Sequence, residues 1–376
     1  MIRITNEESR ESDAGSFARV PTQAEVARLA GVSQTTASYV LSGVPNRVSF
    51  ATQERVLRAA EQLNYQPNLL ARGLRGSSTG LLGVIVRDIS AAAVGAVSRA
   101  LLHGAPQVGY DMILTDAADD VKTLLRLAGL MKSRLCDGIA LVGELPEEDA
   151  LWDDYARLGI PTVAILHGGQ NLPVASVLLD NDHGIRLAVD HLRSLGHERI
   201  GYVGSNLLRG VMQRGEVFRA VMKDKGLNVR PTDVVNVELS REGGAAGLVQ
   251  LLGRPHPPTA VLAATDLLAC AMIHEAACRK IAIPEQLSIV GFDDVPEASL
   301  TWPPLTTVRQ PFEEFAVRAL AMFTSGAASS TRAHRQVILQ PELVIRESTA
   351  APRGANEHLG ATSPRESNRR LHSQLS

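Results

Sequence analysis

The chain has 376 residues, 45% of them hydrophobic, and a formal net charge of −2. That length exceeds one small domain and that content supports a large buried core, while the near-neutral charge excludes a general polyanion binder. Aromatic residues make up only 4%, which leaves few stacking platforms for any ligand.

The opening residues, MIRITNEESRESD, are polar and charged and read as no signal peptide, and no run is long enough to span a bilayer. A cytoplasmic protein without membrane contact is expected, with residues 1–19 as a disordered arm. Cys136, Cys270 and Cys278 form neither a CxxC pair nor a cluster, so they are read as buried thiols of a reducing compartment, with no metal site and no cofactor.

Residues 20–66 read as a small helical domain. Thr22-Gln23-Ala24-Glu25 matches a capping box, and Val26, Leu29 and Ala30 then supply the i, i+3, i+4 apolar stripe of a helix. Gly31 suits a left-handed helix end, and Ser33 suits the N-cap of a second helix whose stripe is Ala37, Val40 and Leu41. Gln34, Thr35, Ser38 and Tyr39 are left on the outer face. A third helix, capped by Ser49, brings Val56, Leu57, Ala60 and Leu63 to the same core. Two short helices joined by a glycine turn make a helix-turn-helix, and the polar face of the second is the kind that enters a major groove. Gln can bond both edge atoms of adenine, and Ser and Thr reach bases or phosphates. Between Val20 and Gly76, six arginines oppose three glutamates, a bias that fits phosphate contact.

Residues 67–79 read as a hinge and linker: Pro67 starts about two turns of helix, too short to stand alone in water, and Gly76–Gly80 follows as a flexible connector. From residue 80 to 348, apolar runs alternate with amphipathic helices. LLGVIV, DMILT, GIALV, TVAIL, VASVLL, RIGYVG, TAVLAA and LSIVGF are candidate parallel strands covered on both faces. The number of elements predicts two doubly wound α/β lobes with a ligand cleft between them, outside the carboxyl ends of the strands. Polar groups just after those strands are Asp88, Ser90, His167, Asp180, Thr265, Asp266, Asp293 and Asp294. The tail at 349–376 is rich in polar residues, Gly and Pro, has no heptads, and reads as disordered.

The stretches EVARLAGVSQTTASYVL, RVSFATQERVLRAAEQLNYQPNLLARGLR, LRSLGHERIGYVG and SIVGFDDVPEASLTWPPLTTVRQP, in this order, resemble the lac repressor and galactose repressor family from about Pro21 to Ser348. The resemblance implies an all-α helix-turn-helix DNA-binding domain followed by an α/β two-lobed periplasmic-binding-protein-like core. It implies a repressor that binds a double-stranded, pseudo-palindromic operator as a homodimer under control of a small-molecule effector such as a sugar. The base-reading residues fall on Gln34, Thr35, Ser38 and Tyr39. The family's hinge helix falls on Asn68 to Leu74, with Leu74 as a minor-groove wedge and Ala71 beside it. Thr22, Ser33, Thr36, Arg47, Asn68, Arg72 and Arg75 complete the residues expected at DNA.

In the core, Asp293 matches the carboxylate that relatives use to grip the effector, and Arg214 matches an arginine that crosses the cleft. Gln310 and Phe312 match a segment lining it, and Asp88, Ser90, His167, Asp180 and Thr265 complete the expected set. The chain departs from the family's habits in four places. Tyr39 stands where most relatives carry Arg, which implies a different operator. Gly73 replaces a better helix former, which costs about 0.5–1 kcal/mol. Thr265 stands where many relatives have Asn. Ala91-Ala92-Ala93-Val94 stands where relatives often have Asn-Pro-Phe-Phe, which removes an aromatic wall.

Two other readings compete. An enzyme is disfavoured because no GxGxxG after a strand, P-loop, GxSxG or HExxH occurs, and His183, His191 and His197 are spread along one helix and its turn. A solute-binding protein shares the core fold but has no use for a capped helix-turn-helix. A third possibility is a family member that has lost specific DNA binding and acts by pairing with a relative.

Overall fold

A computed structural model of the chain describes residues 21–41, 48–65, 78–134, 136–143, 157–166, 168, 172–329 and 336–352. The chain divides into two units, Met1–Ser77 and Ser78–Ser376.

Three helices form the first unit: α1 (Gln23–Ala30), α2 (Gln34–Leu41) and α3 (Phe50–Gln62). The capping box is present, with Thr22 accepting from the Glu25 amide and the Glu25 carboxylate reaching back to the Thr22 amide at 2.7 Å. Gly31 closes α1 in the left-handed conformation, φ 64°, which a residue with a Cβ adopts only at a cost. Ser33 then caps α2, accepting from the Thr36 amide at 3.0 Å. Val26, Ala27, Ala30, Ala37, Val56, Ala59 and Ala60 make the core. Leu29 and Leu57, expected inside, are 51% and 55% exposed: small Ala27 and Ala59 take the inner positions and let the helices approach. The Ser49 hydroxyl bonds that of Thr52 at 3.0 Å instead of capping α3 through a backbone amide.

The second unit holds two sheets. The chain runs through β1 (Leu81–Val86), α4 (Ala92–Gly104), β2 (Asp111–Asp116), α5 (Val121–Arg134), β3 (Gly138–Val142), β4 (Thr162–Ile165) and β5 (Ala175–Leu179). It continues through α6 (Asn181–Ser194), β6 (Ile200–Gly204), α7 (Arg209–Asp224), β7 (Val234–Asn236), α8 (Arg241–Leu252), β8 (Ala260–Ala263), α9 (Asp266–Cys278), β9 (Ser288–Asp293) and β10 (Thr306–Arg309). Helix α10 (Phe312–Thr324) then leads to β11 (Gln336–Leu339) and β12 (Glu342–Val344).

One six-stranded sheet has the order β11-β5-β4-β3-β1-β2 and the other β12-β10-β9-β8-β6-β7. The first is parallel throughout, and the second is parallel except for the antiparallel edge strand β12. Alternate residues of β1 show why its run is continuously apolar. Leu82, Val84 and Val86 face α4 and α10, while Ile85 faces α5. The eight long apolar runs in the sequence are all strands. Four shorter strands, β7, β10, β11 and β12, carry too few apolar residues to stand out.

The chain passes between the lobes three times: from β5 into α6, from β10 into α10, and from β11 into β12. Each lobe is therefore assembled from separated parts of the sequence. Ser78–Gly80, expected as the end of a flexible linker, are fastened to the first lobe. The Thr79 and Gly80 amides donate to Asp137 at 2.8 and 2.9 Å, and the Ser78 hydroxyl adds a third bond.

His197 is a structural residue of the second lobe. It is buried, bonds Thr259 Oγ1 and the Ala350 carbonyl, each at 2.9 Å, and burial lowers its pKa so that it stays neutral. The cysteines are less enclosed than expected: Cys136 and Cys270 are half-buried and Cys278 is exposed.

Candidate functional site

Helix α2 carries the polar face of the first unit. Gln34 and Thr35 are exposed and Ser38 and Tyr39 half-buried, with Gln34 over Ser38 and Thr35 over Tyr39 at i, i+4 spacing. Thr36 shares a bond with Ser33 between hydroxyls at 2.8 Å. The Thr22 and Ser33 side chains, expected at DNA, spend their oxygens on the helix caps. Arg47, Asn68, Ala71, Arg72, Leu74 and Arg75 lie outside the described residues, as does His167.

In the second unit a cavity of about 1030 Å³ opens between the lobes. Asp88, Ser90, Arg214, Thr265, Asp293 and Gln310 line it together. Asp180 and Phe312 do not. The Asp180 carboxylate caps α6, accepting from the His183 amide at 2.9 Å, and Phe312 packs against the core of the first lobe. The cavity position after β5 belongs to the next residue, Asn181.

The floor is a bonded set of buried groups. Arg214 rises from α7, stacks its guanidinium 3.7 Å from the Phe292 ring centroid, and donates from Nε to Asn181 Oδ1 at 2.9 Å. Its Nη1 donates to the Ala264 carbonyl at 2.6 Å and lies 3.5 Å from Asp293 Oδ1. Gln310, in the second lobe crossing, donates from Nε2 to the same carboxylate oxygen at 2.5 Å. Asp266 starts α9 beneath them and accepts from Thr307 Oγ1 at 2.5 Å and the Val295 amide at 2.9 Å. Gly291 makes room for it, since a Cβ there would stand 2.2 Å from Asp266 Oδ1.

Two carboxyls in one dry site cannot both ionise freely. Burial, helped by the charge of Asp293, pushes the Asp266 pKa up to about 7. Burial also raises Asp293, against the opposing pull of Arg214 and Gln310. At the rim, bonds from Ser90 outweigh partial burial and hold Asp88 below the usual carboxylate range. Asp293 and Asp294 both have positive φ, 134° and 58°, a conformation that costs energy in non-glycine residues. That turn sends successive carboxylates opposite ways. Asp293 meets the cavity, while Asp294 accepts from Arg309 at 2.7 Å and Arg346 at 2.6 Å.

Asp266, one of the polar groups just after the strands but not in the expected set, lines the cavity, as do Asn181, Arg87, Glu238, Arg241, Glu242 and Glu297, which sequence reasoning missed. Asp266 and Asn181 share a usable signal, for each is the first residue of a helix that follows a parallel strand. Glu238 reaches the rim from the turn before α8, and Arg241 and Glu242 from its first turn, which periodicity does not mark.

A helix-turn-helix joined to a two-lobed receptor core defines a ligand-responsive DNA-binding regulator, and the comparisons agree. Residues 22–68 match the family described as bacterial regulatory proteins, lacI family, and residues 189–349 match a periplasmic binding protein-like domain. The chain is 32% identical over 329 residues to the HTH-type transcriptional regulator DegA of Bacillus subtilis (strain 168), covering 87% of this chain and 97% of that protein. The lac repressor dimer bound to operator and the anti-inducer ONPF aligns with a TM-score of 0.78 at 26% identity, covering 89% of this chain and all of that one. A transcriptional regulator CelR–cellobiose complex aligns with a TM-score of 0.65 at 27% identity, covering 87% and 99%. The chain belongs to the lacI family of bacterial regulatory proteins and is a helix-turn-helix transcriptional regulator. Among the described residues no helix is long and apolar enough to cross a membrane, and no cluster of ligating side chains is arranged for a metal ion.

Proposed function

We propose that this regulator is a repressor that binds a pseudo-palindromic operator as a homodimer and changes its DNA affinity when a small hydroxylated metabolite occupies the cleft. The observation that carries this reading is one chain holding both parts: a capped α2 with an outward Gln34, Thr35, Ser38 and Tyr39, and a cavity lined by both lobes of a receptor core. The operator-bound lac repressor dimer and the cellobiose-bound CelR support DNA, self-association and a sugar-like ligand as partners.

The base-reading role rests on α2 and, outside the described residues, on Arg47 and the hinge at Asn68, Ala71, Arg72, Leu74 and Arg75. The ligand-binding role rests on Asp293, Arg214, Gln310, Asp88, Ser90 and Thr265. Asn181 and Asp266 join them by position. The cleft is read as a receptor and not as a catalytic centre: burial pushes the Cys270 thiol on its wall up to about 12, far from a reactive thiolate. The protein acts where chromosomal DNA is, in the cytoplasm.

Regulation follows from linkage. A ligand shifts the lobe arrangement only by its difference in affinity for the two arrangements, and that difference appears reciprocally in DNA affinity. The test is selection of bound duplexes from a random library by the purified chain at moderate and then higher salt. A two-fold symmetric motif, with affinity falling steeply with salt as counterions are released, supports the reading. Salt-sensitive binding without a motif overturns it.

A further inference from the structure

The charges on the cavity wall do not balance. Two cations are already committed, Arg87 to Asp119 at 2.7 Å and Arg214 to Asp293 at 3.5 Å. Set these pairs aside, and the wall keeps Asp88 from the first lobe and Glu238, Glu242, Glu297 and the buried Asp266 from the second, against the guanidinium of Arg241 and the imidazole of His274. The three glutamates and Arg241 have no side-chain partner among the described residues, and Asp88 is bonded only by its neighbour Ser90.

A second observation points the same way. Gln310 is 3% exposed, and its Oε1 has no hydrogen-bond partner although its Nε2 is bonded to Asp293. A buried acceptor left unpaired is costly, so a donor that reaches it from the cleft recovers that cost. Aromatic character is absent from the lining: among the described residues no Phe, Tyr or Trp faces the cavity, and Phe292 lies beneath Arg214. A flat aromatic ligand has nothing to stack on. A saturated ligand rich in donors and bearing positive charge meets every one of these groups.

We propose that the cleft selects a cationic polyol, a saturated ring or chain carrying hydroxyls and at least one protonated amine, with the ammonium held among the unpaired carboxylates of the rim. The hydroxyls face Asp293 and the free Gln310 oxygen, and the ammonium meets Asp88 on one lobe and Glu242 on the other. A charge bridged between the lobes favours their closed arrangement, because both carboxylates approach it only when the cleft narrows. This inference rests on the receptor reading of the cleft and specifies its ligand class.

The test uses the full chain and matched pairs of probes: glucosamine with glucose, galactosamine with galactose, and 2-deoxystreptamine with myo-inositol. Calorimetry measures binding, and the same preparation is passed through the random-duplex selection. At least one amine is expected to bind tenfold or more tightly than its neutral twin, with the preference cut at least threefold by E242Q. Glu242 is exposed on the first turn of α8, and E238Q supplies a second variant should E242Q fold poorly. A neutral twin that binds as well as its amine overturns the proposal, as does a silent amine panel. If DNA selection still succeeds in either case, the regulator reading stands and only the ligand class falls.

Discussion

Gln340 donates from Nε2 to Asp180 Oδ2 at 2.9 Å, and this bond ties two of the three chain crossings between the lobes to each other. The Asp180 amide adds a backbone bond to the Leu339 carbonyl at 2.9 Å, and its other carboxylate oxygen caps α6. The two crossings therefore bend together, leaving the third crossing at Gln310 in contact with the cavity carboxylate.

That arrangement orders two substitutions. Gln340→Ala removes one partly exposed bond and is expected to lower core stability by about 0.5–1.5 kcal/mol. Asp180→Ala loses the same bond and the helix cap, adding about 0.5–2 kcal/mol. Urea unfolding of the core transition reads both, and equal midpoints for the two variants contradict the linkage described.

The buried carboxyl of Asp266 makes stability depend on pH. Its pKa is about 7 in the folded chain against 3.8 for the free group. Between those values the folded state holds more protons than the unfolded one, so stability falls as pH rises from about 4 to about 7. Asp266→Asn keeps an oxygen for the Val295 amide and an amide to donate to Thr307. Its melting temperature is expected to vary less between pH 5 and pH 7.5 (roughly the window in which an ordinary carboxylate no longer titrates) than that of the parent chain. A parallel slope in both proteins refutes the assignment.

Gly31 tests the turn of the first unit. Its φ is 64°, and a Cβ there meets nothing within 4 Å, so any penalty for Gly31→Ala is a backbone penalty. About 1–2 kcal/mol is expected, which lowers hydrogen-exchange protection of the α1 and α2 amides roughly tenfold. Gly31→Asn is expected to lose less, because Asn tolerates the left-handed region. Unchanged protection in the Ala variant rules out the strained turn.

Tyr39 addresses operator choice. It lies one turn after Thr35 on the polar face of α2, and a phenol cannot make the two-point contact that a guanidinium makes with guanine. Tyr39→Arg is expected to gain a guanine preference of about 1–3 kcal/mol at one symmetric position of each half-site, with the rest of the motif retained. Comparing the motifs selected by the two proteins reads this directly, and identical motifs remove Tyr39 from the reading face.

Much of the architecture was legible because long apolar runs have no other use. All eight such runs became strands, and the Thr22–Glu25 box and Gly31 marked both ends of α1. Four strands of three or four residues escaped notice because pairing with a neighbour, and not their own pattern, makes them strands. At the turn after β5 the candidate site was legible to within one residue. Asp180 follows β5 and is acidic, but as the cap it turns to its own helix, and Asn181 faces the cavity. A step of about 100° around a helix decides between them, and composition carries no record of that phase. Leu29 and Leu57 mark the opposite limit, since the period gave them to the core while alanines closed the space.

The first lobe borrows its outermost strand from the far end of the chain. Strand β5 pairs with β11, whose residues are Gln336–Leu339, although every other strand of that sheet is complete by residue 179. During synthesis the edge at Ala175–Leu179 thus stays open until some 160 further residues have left the ribosome, at about 5–20 residues per second. For that interval of roughly 8–30 s the nascent lobe exposes an unpaired, apolar parallel edge, the kind of surface on which neighbouring chains aggregate. A chain broken before Gln336 is left with that edge permanently, so truncation near the end is as damaging to the earliest part of the core as to the latest.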